Sequence, residues 1–168
     1  MRYFTYKSLR FNLKGFIVII FILCLSSCQA DRNKEIIHFR EGEIINPLNL
    51  VRFNEGIYDS ENQVVIYFEG LGEYSILNLN WSKFIKENED VKFIFYYSGS
   101  YLDELKNVLV ESEFPMPMVY DPEKVFYKNN IKEELTFISF LVKKNKIVGM
   151  SNPSIPNFQK KLDELKRL

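Results

Sequence analysis

Two cysteines, one histidine and no run of more than ten consecutive apolar residues are present in this chain of 168 residues. Both cysteines fall early, at Cys24 and Cys28, so residues 29–168 contain no thiol. That excludes a disulfide scaffold, a cysteinyl metal site and dithiol exchange from everything downstream. The single histidine, His38, cannot build a histidine-rich transition-metal site, and no stretch has the carboxylate spacing of a calcium loop. No metal or other cofactor is expected. Charge of one sign is also missing: 22 Lys and Arg balance 22 Asp and Glu without a basic block, so the chain offers no footprint for a nucleic-acid backbone. The longest apolar run, Phe16 to Leu25, would rise only about 15 Å as a helix, half of what a hydrocarbon core demands. A transmembrane anchor is therefore not expected. Internal repeats and low-complexity tracts are absent as well.

What is there begins with a basic stretch, Arg2, Lys7, Arg10 and Lys14, followed by that apolar run and then Leu25-Ser26-Ser27-Cys28. Basic and apolar regions in this order make a signal peptide. The last four residues resemble the lipobox of bacterial lipoproteins, in which the cysteine is lipidated and becomes the first residue. The resemblance implies a signal peptide over 1–27, a lipidated Cys28 with a short polar tether over 28–35 (QADRNK after the cysteine), and one domain over 36–168. It places the protein in the cell envelope, held to a membrane by several acyl chains. Removing four basic residues and no acid with the signal leaves a net charge of 18 − 22 = −4. A chain that is 46% apolar and 15% aromatic can bury a core without disulfide support.

Along the domain, Ile36, Ile37, Phe39, Ile44 and Ile45 suggest short strand pieces ended by Asn46-Pro47. Val64 to Phe68 is β-branched and aromatic, as in a strand buried on both faces. Between Tyr74 and Glu87, Leu77, Trp81, Phe84 and Ile85 recur at helical spacing, and Trp81 falls on the inward stripe. Lys92 to Tyr97 reads as a second strand and Tyr101 to Ser112 as a second helix. After Phe114-Pro115-Met116-Pro117, which cannot continue a helix, come a short strand at Met118 to Tyr120 and a short helix over 123–128. Thr136 to Val142 and Ile147 to Met150 flank Lys143 to Lys146, predicting a hairpin with a four-residue turn. A final helix over Asn157 to Leu168 carries Phe158, Leu162 and Leu165 inward and lysines toward its C-terminus.

The order β-α-β-α-β-β-α, with a tight strand-to-helix junction at Gly70 to Ser75, resembles a thioredoxin-like domain. The segment Phe114 to Glu123, ending in Asp121-Pro122, is similar to the stretch around the third central strand of membrane-anchored thiol-disulfide oxidoreductases and peroxiredoxins. Ser139-Phe140-Leu141-Val142 and Lys146-Ile147-Val148-Gly149 resemble their closing hairpin. Within that group the likeness is to small lipoproteins of Bacteroides-type bacteria, whose first strand leads into Leu-Gly-Cys-x-x-Cys. The implied fold is a three-layer α/β/α sandwich with a mixed central sheet. At the corresponding run Leu71-Gly72-Glu73-Tyr74-Ser75-Ile76, Glu73 and Ile76 stand where the two cysteines would be, and neither can attack a sulfur. The family's cis-proline should fall in Glu134 to Ile138, which has no proline. The resemblance thus implies a thioredoxin-like scaffold without thioredoxin chemistry.

Other residue patterns allow competing readings. Gly70-Leu71-Gly72 lacks the third glycine of a dinucleotide loop and suits a tight turn. Ser75 lacks a nucleophile's context and suits a helix-start cap. Glu69 and Glu73 flank the turn as solvated carboxylates or as an acid/base pair. Tyr96, Tyr97 and Tyr101 cluster near Ser98-Gly99-Ser100 and fit either packing or a binding rim. The expectation is a redox-inactive, membrane-anchored domain that binds an envelope peptide or protein through Leu71, Gly72, Glu73, Tyr74, Ser75, Tyr96, Tyr97 and Tyr101. The alternatives are cysteine-independent enzyme chemistry over Glu69 to Ser75, and a structural subunit of an envelope complex.

Overall fold

The computed structural model describes residues 35–49, 55–72 and 75–168. Cys28, the signal peptide and most of the expected tether, together with Glu73 and Tyr74, lie outside the described residues.

Six strands form one mixed sheet in the order β1-β4-β3-β2-β5-β6, where β1 is Glu43–Ile45, β2 Asn62–Phe68, β3 Lys92–Tyr97, β4 Met118–Tyr120, β5 Phe137–Lys143 and β6 Lys146–Met150. β2 lies parallel to β3 and antiparallel to β5, with Tyr67 opposite both Tyr96 and Ile138. Its sequence explains this central place: Val64, Ile66 and Phe68 project into one apolar layer and Val65 and Tyr67 into the other, so both faces demand cover.

The first layer is covered by α1 (Trp81–Glu87), α2 (Leu102–Glu111) and α4 (Phe158–Arg167), which contribute Trp81, Leu105, Leu109, Phe158, Leu162 and Leu165. Trp81 is its centre, packing edge-on against Phe93 and Phe95 while its indole N–H donates to the Ile76 carbonyl at 2.8 Å. The second layer is thinner. It consists of α3 (Val125–Asn130), which inserts Phe126, and of Ile37 and Phe39 from the segment ahead of β1. A three-layer α/β/α sandwich results, as the strand and helix order implied. Among the described residues no helix is long and apolar enough to cross a membrane.

Local chemistry moved several boundaries. The helix expected from Tyr74 to Glu87 is broken into a 3-10 turn, Ile76–Asn78, and α1, because the Asn80 side chain accepts the Lys83 N–H at 3.0 Å and starts the helix afresh. The short helix expected over 123–128 begins later. Asp121 turns its buried carboxylate onto the N–H groups of Val125 and Phe126, at 3.1 and 2.7 Å, and Lys124 before them is left-handed. The expected four-residue hairpin turn is a two-residue one: Lys143 pairs with Lys146, and Lys144 and Asn145 take φ of 49° and 61° to match the strand twist. Of the N-terminal apolar pieces, Glu43–Ile45 forms a strand, whereas Ile36 makes a single bridge to Lys146.

Candidate functional site

At the C-terminal end of β2 the chain leaves the sheet through Glu69 and Gly70, whose neighbours are set by three backbone bonds. Glu69 N–H donates to the Thr136 carbonyl at 3.0 Å, Ser98 N–H to Phe68 at 3.1 Å, and Asp121 N–H to Tyr97 at 2.9 Å. These bonds draw the start of β5 and the loops after β3 and β4 to one end of the sheet. The result is a shallow cavity of about 280 Å³ lined by Phe68, Gly70, Gly72, Ser75, Ile76, Thr136 and Phe137.

Ser75 is committed to backbone. Its N–H donates to Gly72 at 2.8 Å, its hydroxyl donates to the Gly70 carbonyl at 3.0 Å, and the same oxygen accepts the Leu77 N–H at 3.3 Å. It closes the turn and caps the 3-10 helix, the role expected from its position rather than that of a nucleophile. Ile76, which also lines the cavity, is buried against the first core layer. Leu71 packs against the same layer, half-buried.

Glu69 belongs to the other side of the sheet. Its carboxylate accepts from the Tyr67 hydroxyl and pairs with Lys124 at 2.8 Å. Burial alone would raise its pKa, but the Lys124 ammonium and the Tyr67 hydroxyl outweigh that and hold it below the usual carboxylate range. Tyr67 is pushed upward by burial and by the bond to Glu69, so it stays a neutral donor. A general acid needs a raised carboxyl pKa facing a cavity. Glu69 has a lowered one and does not line the cavity.

The three tyrosines separate. Tyr96 and Tyr97 are fully buried, which corrects their place on the expected binding surface. Strand alternation sends Tyr96 into the second layer, stacked on Phe126 at 4.1 Å, and Tyr97 into the first. The Tyr96 hydroxyl accepts the Arg40 N–H at 3.1 Å and donates to the Arg40 carbonyl at 2.9 Å. Tyr101 is 67% exposed at the start of α2. Phe68, Thr136 and Phe137, expected only as strand residues, line the cavity. Proximity of β5 to the Gly70 turn is a property of sheet order and left no mark in local sequence.

Among the described residues no group of three or more His, Cys, Asp or Glu side chains is placed to hold a metal ion. Among the described residues the cavity lining is apolar apart from backbone, the Thr136 hydroxyl and the Ser75 hydroxyl already bonded to backbone.

A mixed sheet with helices on both faces defines an α/β sandwich. Solved structures specify it further: the fold is thioredoxin-like. A thioredoxin-like protein solved in its oxidised form superposes with a TM-score of 0.59 at 10% identity, covering 79% of this chain and 95% of that one. The mitochondrial 2-Cys peroxiredoxin of Plasmodium falciparum gives 0.55 at 16% identity, with 80% and 92% covered. The exposed lipoprotein thioredoxin of Streptococcus pneumoniae gives 0.51 at 16% identity, with 66% and 87% covered. No family model matches the sequence, and no curated protein does.

Proposed function

We propose that this chain is a cell-envelope lipoprotein, anchored through Cys28, whose thioredoxin-like domain binds an extended peptide or protein segment at the end of β2 instead of exchanging disulfides. The observation that carries the reading is a formed cavity with no reactive group in its described lining: Ser75 is spent on backbone bonds and the walls are Phe68, Ile76 and Phe137. The apolar walls and accessible backbone of the described lining suit an apolar side chain on a partner's extended strand. Tyr101, exposed after the β3 loop, adds amphipathic area close to the sheet end. Glu73, which replaces the first cysteine of the related motif, brings a carboxylate in place of a thiol. The anchoring part rests on the lipobox-like run; one structural neighbour is itself an exposed lipoprotein.

The test is an insulin-reduction and thiol-oxidation assay on residues 29–168, beside titration of a library of extended apolar peptides. No redox turnover and saturable peptide binding, weakened by Thr136→Lys, are expected. Turnover without any cysteine would sink the reading.

A further inference from the structure

The cavity at the end of β2 is walled by residues that also hold the domain together. Phe68 and Ile76 belong to the first core layer, and Phe137 packs against it. The Thr136 carbonyl anchors the Glu69 N–H, and Ser75 closes the turn and caps the 3-10 helix. Each of these has a reason in the fold for being where it is. Gly70 and Gly72, the other two lining residues among those described, stand apart.

A glycine is required where φ is positive or where a Cβ has no room. Neither reason applies at 70 or 72. Among the described residues no glycine has a positive φ. A Cβ at Gly70 or Gly72 meets no heavy atom of the described residues within 4 Å, whereas one at Gly42 would strike the Tyr120 carbonyl oxygen at 2.6 Å. Both Gly70 and Gly72 are exposed. Leu71 between them packs onto the first core layer, and their carbonyls accept the Ser75 hydroxyl and N–H, at 3.0 and 2.8 Å. The stretch 70–72 is thus a tied-down wall of main chain on which neither glycine raises a side chain.

Such a wall lets another main chain approach to contact distance. A compact apolar molecule held by Phe68, Ile76 and Phe137 makes no use of exposed peptide groups. An extended segment does, because its amides alternate with side chains that leave it on either side. We propose that Gly70 and Gly72 are the specificity-determining positions of this site, where the main chain of an extended peptide lies against the wall with one apolar side chain in the cavity. The proposal rests on the peptide-binding reading above and names the contact within it.

Residues 29–168 contain the compact unit Glu35–Leu168 whole and serve as the test protein. Gly70→Ala, Gly72→Ala and Gly70→Leu are compared with the parent in urea unfolding and in affinity for those members of the extended apolar peptide library that the parent binds. The alanine variants are expected to unfold at the parent's urea concentration or slightly above it, since alanine restricts the unfolded chain. Their affinity is expected to fall about tenfold, the equivalent of one main-chain hydrogen bond, and that of Gly70→Leu further. N-methylation of the peptide amides, which leaves every side chain in place, is expected to weaken binding to the parent by a similar factor. Unchanged affinity in the stable variants overturns the proposal and leaves peptide binding standing. So does undiminished binding of the N-methylated peptides, which would put only a side chain at the site. A lowered unfolding midpoint in both alanine variants also overturns it, by giving the glycines to the fold. If the parent binds none of the peptides, the peptide-binding reading fails and the proposal with it.

Discussion

Gly99, in the loop after β3, has no room for a side chain: a Cβ there would run into the Tyr97 hydroxyl and the Glu69 carbonyl oxygen, which is backbone and cannot yield. Gly99→Ala is expected to cost about 1–3 kcal/mol, the scale of overpacking a closed interior, read from urea unfolding of residues 29–168. Glu69, whose backbone it meets, has its own signature. Its folded pKa lies below the ordinary value of 4.5, so the stability it contributes is complete above that value and is lost as pH falls through the lower native pKa. Glu69→Gln should remove this acid-side loss below pH 4.5 and leave cavity binding intact, because the carboxylate is turned toward Lys124. A pH–stability profile of the variant matching the parent would contradict the assignment. The residue scale also shows where reading one position at a time fails. Tyr96 and Tyr97 look alike in sequence as candidates for a rim, yet both are core, and of the three only Tyr101, four positions past the strand, is presented to solvent.

Elements in this domain are set by side chains that compete with backbone. Asp121 is the clearest case, a fully buried carboxylate whose two oxygens start α3 and which also has the Arg40 guanidinium at 3.7 Å. Asp121→Ala is expected to cost about 2 kcal/mol, the upper range for a lost helix cap, with faster hydrogen exchange confined to the 125–130 amides. Exchange that rises evenly through the domain would assign Asp121 a general packing role instead. Asn80 does the same for α1. Periodicity alone extended that helix back to Tyr74, since Leu77 and Trp81 both keep helical spacing, and a cap inside a periodic run is hidden from a hydrophobic pattern. The hairpin was mis-sized for a related reason. Four polar residues read as a loop, but Lys143 and Lys146 pair with each other in the ladder, and the Lys143 ammonium is held by Asn62 at 2.8 Å and Glu61 at 3.4 Å beside the neighbouring strand.

For the whole molecule, the proposed anchor is Cys28, ahead of the domain, and the candidate cavity lies at the C-terminal end of its central strand. Cys28→Ser is expected to abolish membrane partitioning by removing every acyl chain, measured by fractionation of cells expressing the full chain; a variant that still fractionates with membranes would refute anchoring by lipid. Residues 28–168 carrying Cys28→Ser should unfold at the same denaturant concentration as those with Cys28, because the described core residues begin at Ile37.

By itself the sequence determined the thiol content, the two-faced apolar character of β2 and the inward stripes of α2 and α4. These are properties of composition and of period, carried by neighbours within a few positions. It also determined that Glu73 and Ile76 cannot do a cysteine's chemistry. Only the tertiary structure decided that Thr136 and Phe137 lie beside Phe68 and Ser75, and that Glu69 faces Lys124 rather than the cavity. Each of these depends on which strands become neighbours and on which face a side chain leaves them, and pairing between residues some seventy positions apart is fixed by burying both faces of β2 at once.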